Sequence, residues 1–560
     1  MSCPSRKDLQ NYFKKRLPPI KWLPKYSCQH LQGDIIAGLT VALTVIPQGL
    51  AYGQIAHLPA QYGLYSAFLC CFVYCLLGTA KDVTLGPTAI MSMLVAHYSE
   101  NFGNNIALYA VALSFYCGIV QFILGILNLG IIVEFVSSSV LSAFTGAAAI
   151  TIAGGQLKHL LGLKNTTRSG DLLDQLITVF QNISTINKYD IILSVICIIT
   201  LIFLKQLRSI NWTSPPTSIL QTVCRKIVWL TGTSSNGIVV LSSAGIAASL
   251  LAKNIDVFSM TKGVAAGLPP FRPPHLSATN TTSWDVLNNI GTGLIMIPLI
   301  GIVELMAIGK VLARKNDYTI DCSQELIAIG VANVLGSFVS AYPVTGSFSR
   351  SVVQSNSGAK TTSAGIFTGT VVIICLASLM DFVRFIPNPA LASVIFCAVL
   401  PMFDPSALVK YWKLSKLDGF IWFLTFTLSI PLGIEVGLAV GMGFSLCFFV
   451  LYPSARPRII YEFQDNCTIM KIYEKLTFAG SDYLIEAIRK QLKRTSIILD
   501  LTSMNSLDPS IALVLSQISR EAGNYGFIMI ASKEVEIFLK KVDIKCGSSI
   551  NDSLREIRCD

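Results

Sequence analysis

Residues 83–90 (Val-Thr-Leu-Gly-Pro-Thr-Ala-Ile) and 341–350 (Ala-Tyr-Pro-Val-Thr-Gly-Ser-Phe-Ser-Arg) are glycine- and proline-broken segments in corresponding places of two apolar half-chains. Inside a bilayer, non-helical backbone is tolerated only where it is buried in protein or lines a water-filled space. A broken helix leaves unpaired N–H groups at its new N-terminus, and helix N-termini attract anions. Two such ends, one per half, with Arg350 beside the second, predict a membrane carrier with an anion site near the midplane.

The flanking sequence demands that membrane. Of 560 residues, 52% are hydrophobic and 13% charged, about half the charged fraction of an ordinary soluble domain. Apolar runs of bilayer length, together with shorter broken ones, give about fourteen segments: 34–52, 63–79, 85–98, 106–127, 139–161, 189–204, 232–251, 287–308, 323–340, 343–357, 362–380, 388–403, 418–432 and 434–452. The third, tenth and twelfth are too short for full spans. Gly38-Leu39-Thr40 followed by Ile46-Pro47 returns as Gly293-Leu294-Ile295 followed by Ile297-Pro298, 251 residues later, and Pro87 and Pro343 are similarly offset. Seven segments per half is an odd number, so the halves are expected to be inverted in the membrane.

The formal charge of +11 has no basic-aromatic face with which to hold nucleic acid, and basic excess in membrane proteins collects in cytosolic loops. Residues 1–33 carry seven basic side chains and no signal-length apolar core, so the N-terminus is expected to stay in the cytosol. That orientation puts the basic connections 204–228, 309–322 and 404–417 (Lys410, Lys413, Lys416) on the same side. The opposite loops, 162–188 and 252–286, hold the N-glycosylation sequons at Asn165, Asn182 and Asn280. Asn211, Asn466 and Asn551, also in sequons, fall on the cytosolic side.

Fifteen cysteines show no ligand spacing and five histidines are scattered, so neither a metal nor a cofactor is expected. Ser357-Gly358-Ala359-Lys360-Thr361 lacks the leading glycine and the Gly-Lys pair of a phosphate-binding loop. No catalytic constellation appears, which points to a carrier driven by gradients and not to an enzyme or ATP-driven pump. From about residue 460 the chain alternates β-rich stretches (Thr468–Tyr473, Ile497–Leu501, Phe527–Ala531) with helical ones (Asp482–Lys493, Pro509–Ala522, Lys533–Lys541). This reads as a soluble α/β domain of about 100 residues.

Four stretches carry a family likeness: Val45-Ile46-Pro47-Gln48-Gly49-Leu50-Ala51-Tyr52, Gln61-Tyr62-Gly63-Leu64-Tyr65-Ser66, Asp82-Val83-Thr84-Leu85-Gly86-Pro87-Thr88-Ala89, and Tyr342-Pro343-Val344-Thr345-Gly346-Ser347-Phe348-Ser349-Arg350-Ser351. With these the sequence resembles the SulP sulfate permease family over nearly its whole length. The resemblance implies an α-helical polytopic membrane protein with a seven-plus-seven inverted repeat. A core of segments 1–4 and 8–11 moves against a gate of segments 5–7 and 12–14, and a cytosolic STAS domain follows. The corresponding division is 1–33 as a cytosolic lead-in, 34–452 as the transport domain and 460–560 as the STAS domain. It also implies a homodimer formed through the STAS and N-terminal regions, in the plasma or lysosomal membrane, with both termini cytosolic. Expected substrates are sulfate and, with it, oxalate, chloride or bicarbonate, moved by sodium-independent exchange or with protons. In related STAS-like proteins a phosphorylated serine follows an Asp at a helix start; here Pro509 follows Asp508, which fits a first helical residue better. Rival readings are a chloride/bicarbonate exchanger or channel-like conductor, and a non-transporting STAS-linked scaffold or voltage sensor.

The expected substrate-binding residues are Thr88 and Ala89 in one half and Ser347, Phe348, Ser349 and Arg350 in the other. Each helix end acts as about half a positive charge, so with Arg350 the local charge approaches that needed to balance a divalent anion. The alternative is that the prolines only kink spanning helices and Arg350 reaches the interface. Gln48 and Tyr52, four apart, share one helical face, a face that lines the site in the family; otherwise they are a helix-packing hydrogen bonder and an interfacial aromatic. Glu304 sits in Ile302-Val303-Glu304-Leu305-Met306, where an ionised carboxylate is costly and intramembrane acids are functional candidates. The resemblance makes it a proton-coupling residue; the alternative is a structural ion pair with Arg350.

Overall fold

The computed structural model describes residues 16–99, 105–130, 137–163, 172–208, 221, 225, 227–229, 231–232, 234–255, 257–260, 267–274, 283–316, 318–378, 380, 385–451, 459–464, 467–472, 496–504 and 527–540, with isolated positions from 484 to 519. Among them, fourteen helices fall at the expected segments. The first seven are α1 (Cys28–Ile55), α2 (Gln61–Leu77), α3 (Ala89–Ser99), α4 (Ile106–Ile126), α5 (Ser138–Leu160), α6 (Lys188–Arg208) and α7 (Ser235–Leu251). The second seven are α8 (Gly293–Lys315), α9 (Cys322–Ser337), α10 (Phe348–Asn356), α11 (Ala364–Ser378), α12 (Asn388–Val399), α13 (Lys416–Ser429) and α14 (Ile434–Leu451). Among the described residues six stretches are long and apolar enough to cross a membrane by length and composition, one of them Asn388–Lys413, which runs on from α12 through the next turn and short helix. The three segments expected to be short are so: α3, α10 and α12 have 11, 9 and 12 residues.

Local chemistry explains the boundaries. α1 begins at Cys28, ahead of the expected 34, because Ser27 and His30 form a reciprocal cap: the Ser27 hydroxyl accepts from His30 N–H while the His30 ring accepts from Ser27 N–H. Pro47 and Pro298 lie inside α1 and α8 without ending them, as membrane helices tolerate.

The chain divides into two compact units. In the first (Met1–Gly130 and Ala149–Pro401), α4 packs on α9 and α2 on α11, matching seams of the two halves. Both are glycine seams. A Cβ on Gly330 of α9 would sit 2.5 Å from the backbone N of Phe122 in α4, and one on Gly365 of α11 would sit 2.9 Å from Cys71 O in α2. Such close approach replaces the hydrophobic driving force that lipid does not supply.

Between α2 and α3 lies β1 (Leu85–Gly86), and between α9 and α10 lies β2 (Thr345–Gly346). They pair antiparallel, Leu85 with Gly346 and Gly86 with Thr345. This register makes Gly86 and Gly346 equivalent, 260 residues apart, and corrects the expected match of Pro87 with Pro343, which are 256 apart. Pro87 follows its strand and Pro343 precedes its own; lacking an N–H, each sits outside the ladder, on opposite ends.

The second unit (Ile131–Ala148 and Met402–Asp560) contains α13 packed on α14 and a four-stranded sheet, β3 (Ile459–Gln464), β4 (Cys467–Ile472), β5 (Ser496–Leu501) and β6 (Phe527–Ala531), in that order. β3 runs antiparallel to β4, and β4, β5 and β6 are parallel. Met470, Ile472, Leu499, Leu501 and Met529 form its core with Leu484 and Leu515. Strands β4 to β6 and the helix α15 (Lys533–Lys540) stand at the expected places. β3 was not among the expected strands: Tyr461-Glu462-Phe463-Gln464 alternates apolar and polar residues, but over four residues only. Pro509 and its neighbouring Asp508 lie outside the described residues.

Candidate anion site

Because β1 and β2 meet at the pseudo-two-fold, α3 and α10 start from one junction, each from its own half. α1, carrying Gln48 and Tyr52, packs against both. The two helix starts differ. Thr88 caps α3: its hydroxyl accepts from Met91 N–H at 3.3 Å and donates to Glu304 Oε2 on α8 at 3.2 Å. Ser347, preceding α10, makes no such cap; its hydroxyl meets only that of Ser349, at 3.5 Å.

Ser347 N–H, expected as a free donor, instead donates to Thr84 O at 3.1 Å, extending the strand ladder by one step. Among the described residues, Ala89, Phe348 and Ser349 have N–H groups facing no acceptor. Phe348, 54% exposed, and the exposed Ser349 leave the α10 end open, whereas Thr88 and Ala89 are buried.

Arg350, in the first turn of α10, is wholly buried. Its Nη2 donates to Pro87 O at 2.9 Å, reaching from the second half to the end of β1 in the first; Nε and Nη1 have no partner. Gly86 makes room for it: a Cβ there would lie 3.0 Å from Nη2, and the φ of +154° disfavours any side chain. The arginine therefore lies at the junction and does not extend to an interface. Glu304 and Arg350 are electrostatic neighbours, but no ion pair joins them among the described residues. Gln48 and Tyr52 are both buried; Gln48 Oε1 has no partner, and Tyr52 lies within electrostatic reach of Arg350 and Glu304.

Sequence reasoning missed the supports of this junction. The Thr84 hydroxyl donates to Gln354 Oε1 at 2.8 Å, and the Thr84 N–H donates to Ser351 Oγ at 3.0 Å. Asn333 of α9 accepts from Val344 N–H at 2.8 Å and donates to Gln121 Oε1 of α4 at 2.8 Å. Tyr342 shares a hydrogen bond of 2.9 Å with Ser92. Gln121 and Asn333 are polar residues inside apolar runs, the signal that could have found them. Of the sequons, Asn165 and Asn280 lie outside the described residues. Asn182 closes the helix Leu172–Gln181, its Nδ2 donating to Thr178 O at 2.9 Å.

Paired half-helices around a buried arginine, in an inverted bundle joined to an α/β domain, define a membrane anion transporter. Residues 31–425 match the sulfate permease family and residues 458–545 the STAS domain. The chain belongs to the sulfate permease family. It is 38% identical over 515 residues to the sodium-independent sulfate anion transporter of Bos taurus, covering 90% of this chain and 84% of the relative. It is 31% identical over 518 residues to the probable sulfate transporter 3.3 of Arabidopsis thaliana, covering 86% and 77%. The fold is similar to that of the murine Solute Carrier 26 family member A9 anion transporter in the inward-facing state, with a TM-score of 0.70 at 22% identity over 100% of this chain and 96% of that one. The transmembrane domain of the cyanobacterial bicarbonate transporter BicA gives a TM-score of 0.60 at 19% identity over 75% and 98%.

Proposed function

We propose that this protein carries sulfate, exchanging it for oxalate, chloride or bicarbonate or moving it with a proton, without sodium. One observation carries the reading: among the described residues, wholly buried Arg350 has a single side-chain hydrogen bond, no acid paired to it, and two guanidinium nitrogens without partners. A buried cation so poorly compensated is costly, and an anion bound at the open α10 end supplies the missing charge. In this reading the free N–H groups of Ala89, Phe348 and Ser349 and the hydroxyls of Ser347 and Ser349 receive its oxygens, while Gln48 and Tyr52 line the opposite wall. Glu304, held by Thr88, carries the coupled proton.

Two charges entering against an inside-negative potential cost about 4.6 kcal/mol per 100 mV, at about 2.3 per charge. A returning anion or a co-moving proton offsets that cost. The reading includes residues 1–33 as a cytosolic lead-in, 34–452 as the transport domain, 460–560 as the STAS domain, and a homodimer joined through the STAS and N-terminal regions. The test is uptake of radiolabelled sulfate into proteoliposomes, with chloride, bicarbonate and pH gradients varied separately. Uptake that no gradient drives, beside rapid chloride/bicarbonate exchange, would overturn it. Sidedness is tested by glycosidase shifts on single Asn→Gln variants: modification at Asn165 or Asn280 supports the orientation, and modification at Asn211 contradicts it.

A further inference from the structure

Between α12 and α13 the chain forms a short helix, Ala407–Leu414, with two different faces. Ala407 and Tyr411 are buried with Ala143 of α5 and Trp422 of α13, and the Tyr411 hydroxyl donates to Ser138 O at 3.1 Å. On the outer face Val409 and Trp412 are 53% and 49% exposed and Lys410 and Lys413 are exposed beside them; Lys416, the first residue of α13, is exposed as well. At about 3.6 residues per turn, Val409 and Trp412 form one stripe and Lys410 and Lys413 the adjacent one. A second exposed apolar row follows on α13, Leu417, Phe420 and Phe423, three residues apart and 40%, 46% and 49% exposed. Two acids lie nearby, and Asp404 is within electrostatic reach of Lys410. Asp404 accepts from Ser406 N–H at 3.0 Å and from its hydroxyl at 2.6 Å, and Asp418 accepts from the Ser139 hydroxyl at 3.0 Å.

We propose that this helix is a docking surface for anionic phospholipid headgroups. Trp412 and Val409 enter the boundary between headgroups and acyl chains, and the three lysines meet lipid phosphates. Both parts follow from the chemistry of the face: a tryptophan beside an apolar stripe is an interfacial anchor, and each basic residue near an anionic leaflet favours it about fivefold. The exposed apolar row on the next helix of this membrane transporter favours lipid over a soluble partner as the occupant, because the same solvent must cover Leu417, Phe420 and Phe423. Tyr411 ties the helix to α5 and α13, so headgroup binding acts on those helices.

The experiment uses the full-length protein in phosphatidylcholine vesicles with and without phosphatidylserine. Brominated-chain versions of each lipid serve as quenchers, and the difference between wild type and Trp412→Phe isolates the Trp412 fluorescence. Brominated phosphatidylserine should quench Trp412 more than brominated phosphatidylcholine at equal mole fraction. Lys410→Gln/Lys413→Gln/Lys416→Gln should reduce that preference about tenfold or more, from about fivefold per lysine. The corresponding arginine variant should keep it, which separates charge from folding. Equal quenching by both lipids would leave only ordinary annular lipid, and no quenching by either would mean the helix is covered or in water; each overturns the proposal. The readout is binding, so it stands whether or not sulfate moves.

Discussion

The two inverted halves contribute one helix start each to the same junction, and they contribute different chemistry. The strand register that equates Gly86 with Gly346 sets Thr88 against Phe348 and Ile90 against Arg350. In the first half the start is capped, buried and without a charge of its own; in the second it is uncapped, open and charged. α1 and α8 differ in the same way, since the offset aligning Pro47 with Pro298 sets Gly53 against Glu304. The repeat builds the symmetric frame, and departures from symmetry assign the roles. The second half supplies the charge and two of the three free donors, and the first supplies the Ala89 N–H and the carbonyl that holds Arg350.

The largest test of this division is Arg350→Gln. The Coulomb energy of an anion doubles from one charge to two, so the fold-loss is squared: a loss of about tenfold for chloride becomes about a hundredfold for sulfate. Sulfate and chloride uptake at matched surface expression measures this, and equal losses would make Arg350 a structural residue with no share in the charge.

Next comes the pair Gly86→Ala and Gly346→Ala. At Gly86 the added methyl meets both an unfavourable φ and the Arg350 guanidinium, a strain of about 1–3 kcal/mol applied where Arg350 is held. At Gly346 a Cβ would meet Leu305 Cδ1 at 3.1 Å, the end of a flexible side chain, with a cost below about 1 kcal/mol. Sulfate transport should therefore fall markedly in the first variant and little in the second. Equal effects would mean that the first half does not hold the arginine.

How much of this was legible beforehand follows from range. The fourteen segments and their short members are written in local apolar runs; Glu304 stood out as a charge among apolar neighbours, and Arg350 as the cation beside a glycine- and proline-broken segment. Pro343 misled the alignment of the halves because a two-residue strand carries no periodicity; only the pairing of Leu85 with Gly346 sets the register. The partners of Gln121, Asn333 and Gln354 lie on other elements, in two cases more than two hundred residues away, so their polarity was visible but not their use. The helix Ala407–Leu414 was too short and too basic to register as more than a loop.

A smaller effect is expected from Glu304→Gln. If the carboxyl carries the proton, its neutral form travels with sulfate and leaves one net negative charge, so uptake rises as outside pH falls. The glutamine variant should flatten that dependence while keeping sulfate/sulfate exchange. The absence of an ion pair with Arg350 predicts that exchange survives. Loss of every mode alike would restore the structural reading of Glu304, and retained pH-driven uptake would remove it from coupling.

The smallest test compares the caps directly. Thr88→Ala deletes the acceptor for Met91 N–H and the bond to Glu304; losing an N-cap side chain costs about 1 kcal/mol. In amide hydrogen exchange this appears as about fivefold faster opening of the first turn of α3, if that turn opens locally. Ser347→Ala deletes only a 3.5 Å contact with Ser349, a change within about 0.5 kcal/mol, and the first turn of α10 should exchange nearly as before. Exchange in peptides spanning 88–92 and 347–352 of the two variants measures both. An equal or larger effect at α10 would show that its start depends on its own hydroxyl. The two helix ends would then be alike, and the open end of α10 would no longer be a place reserved for an anion.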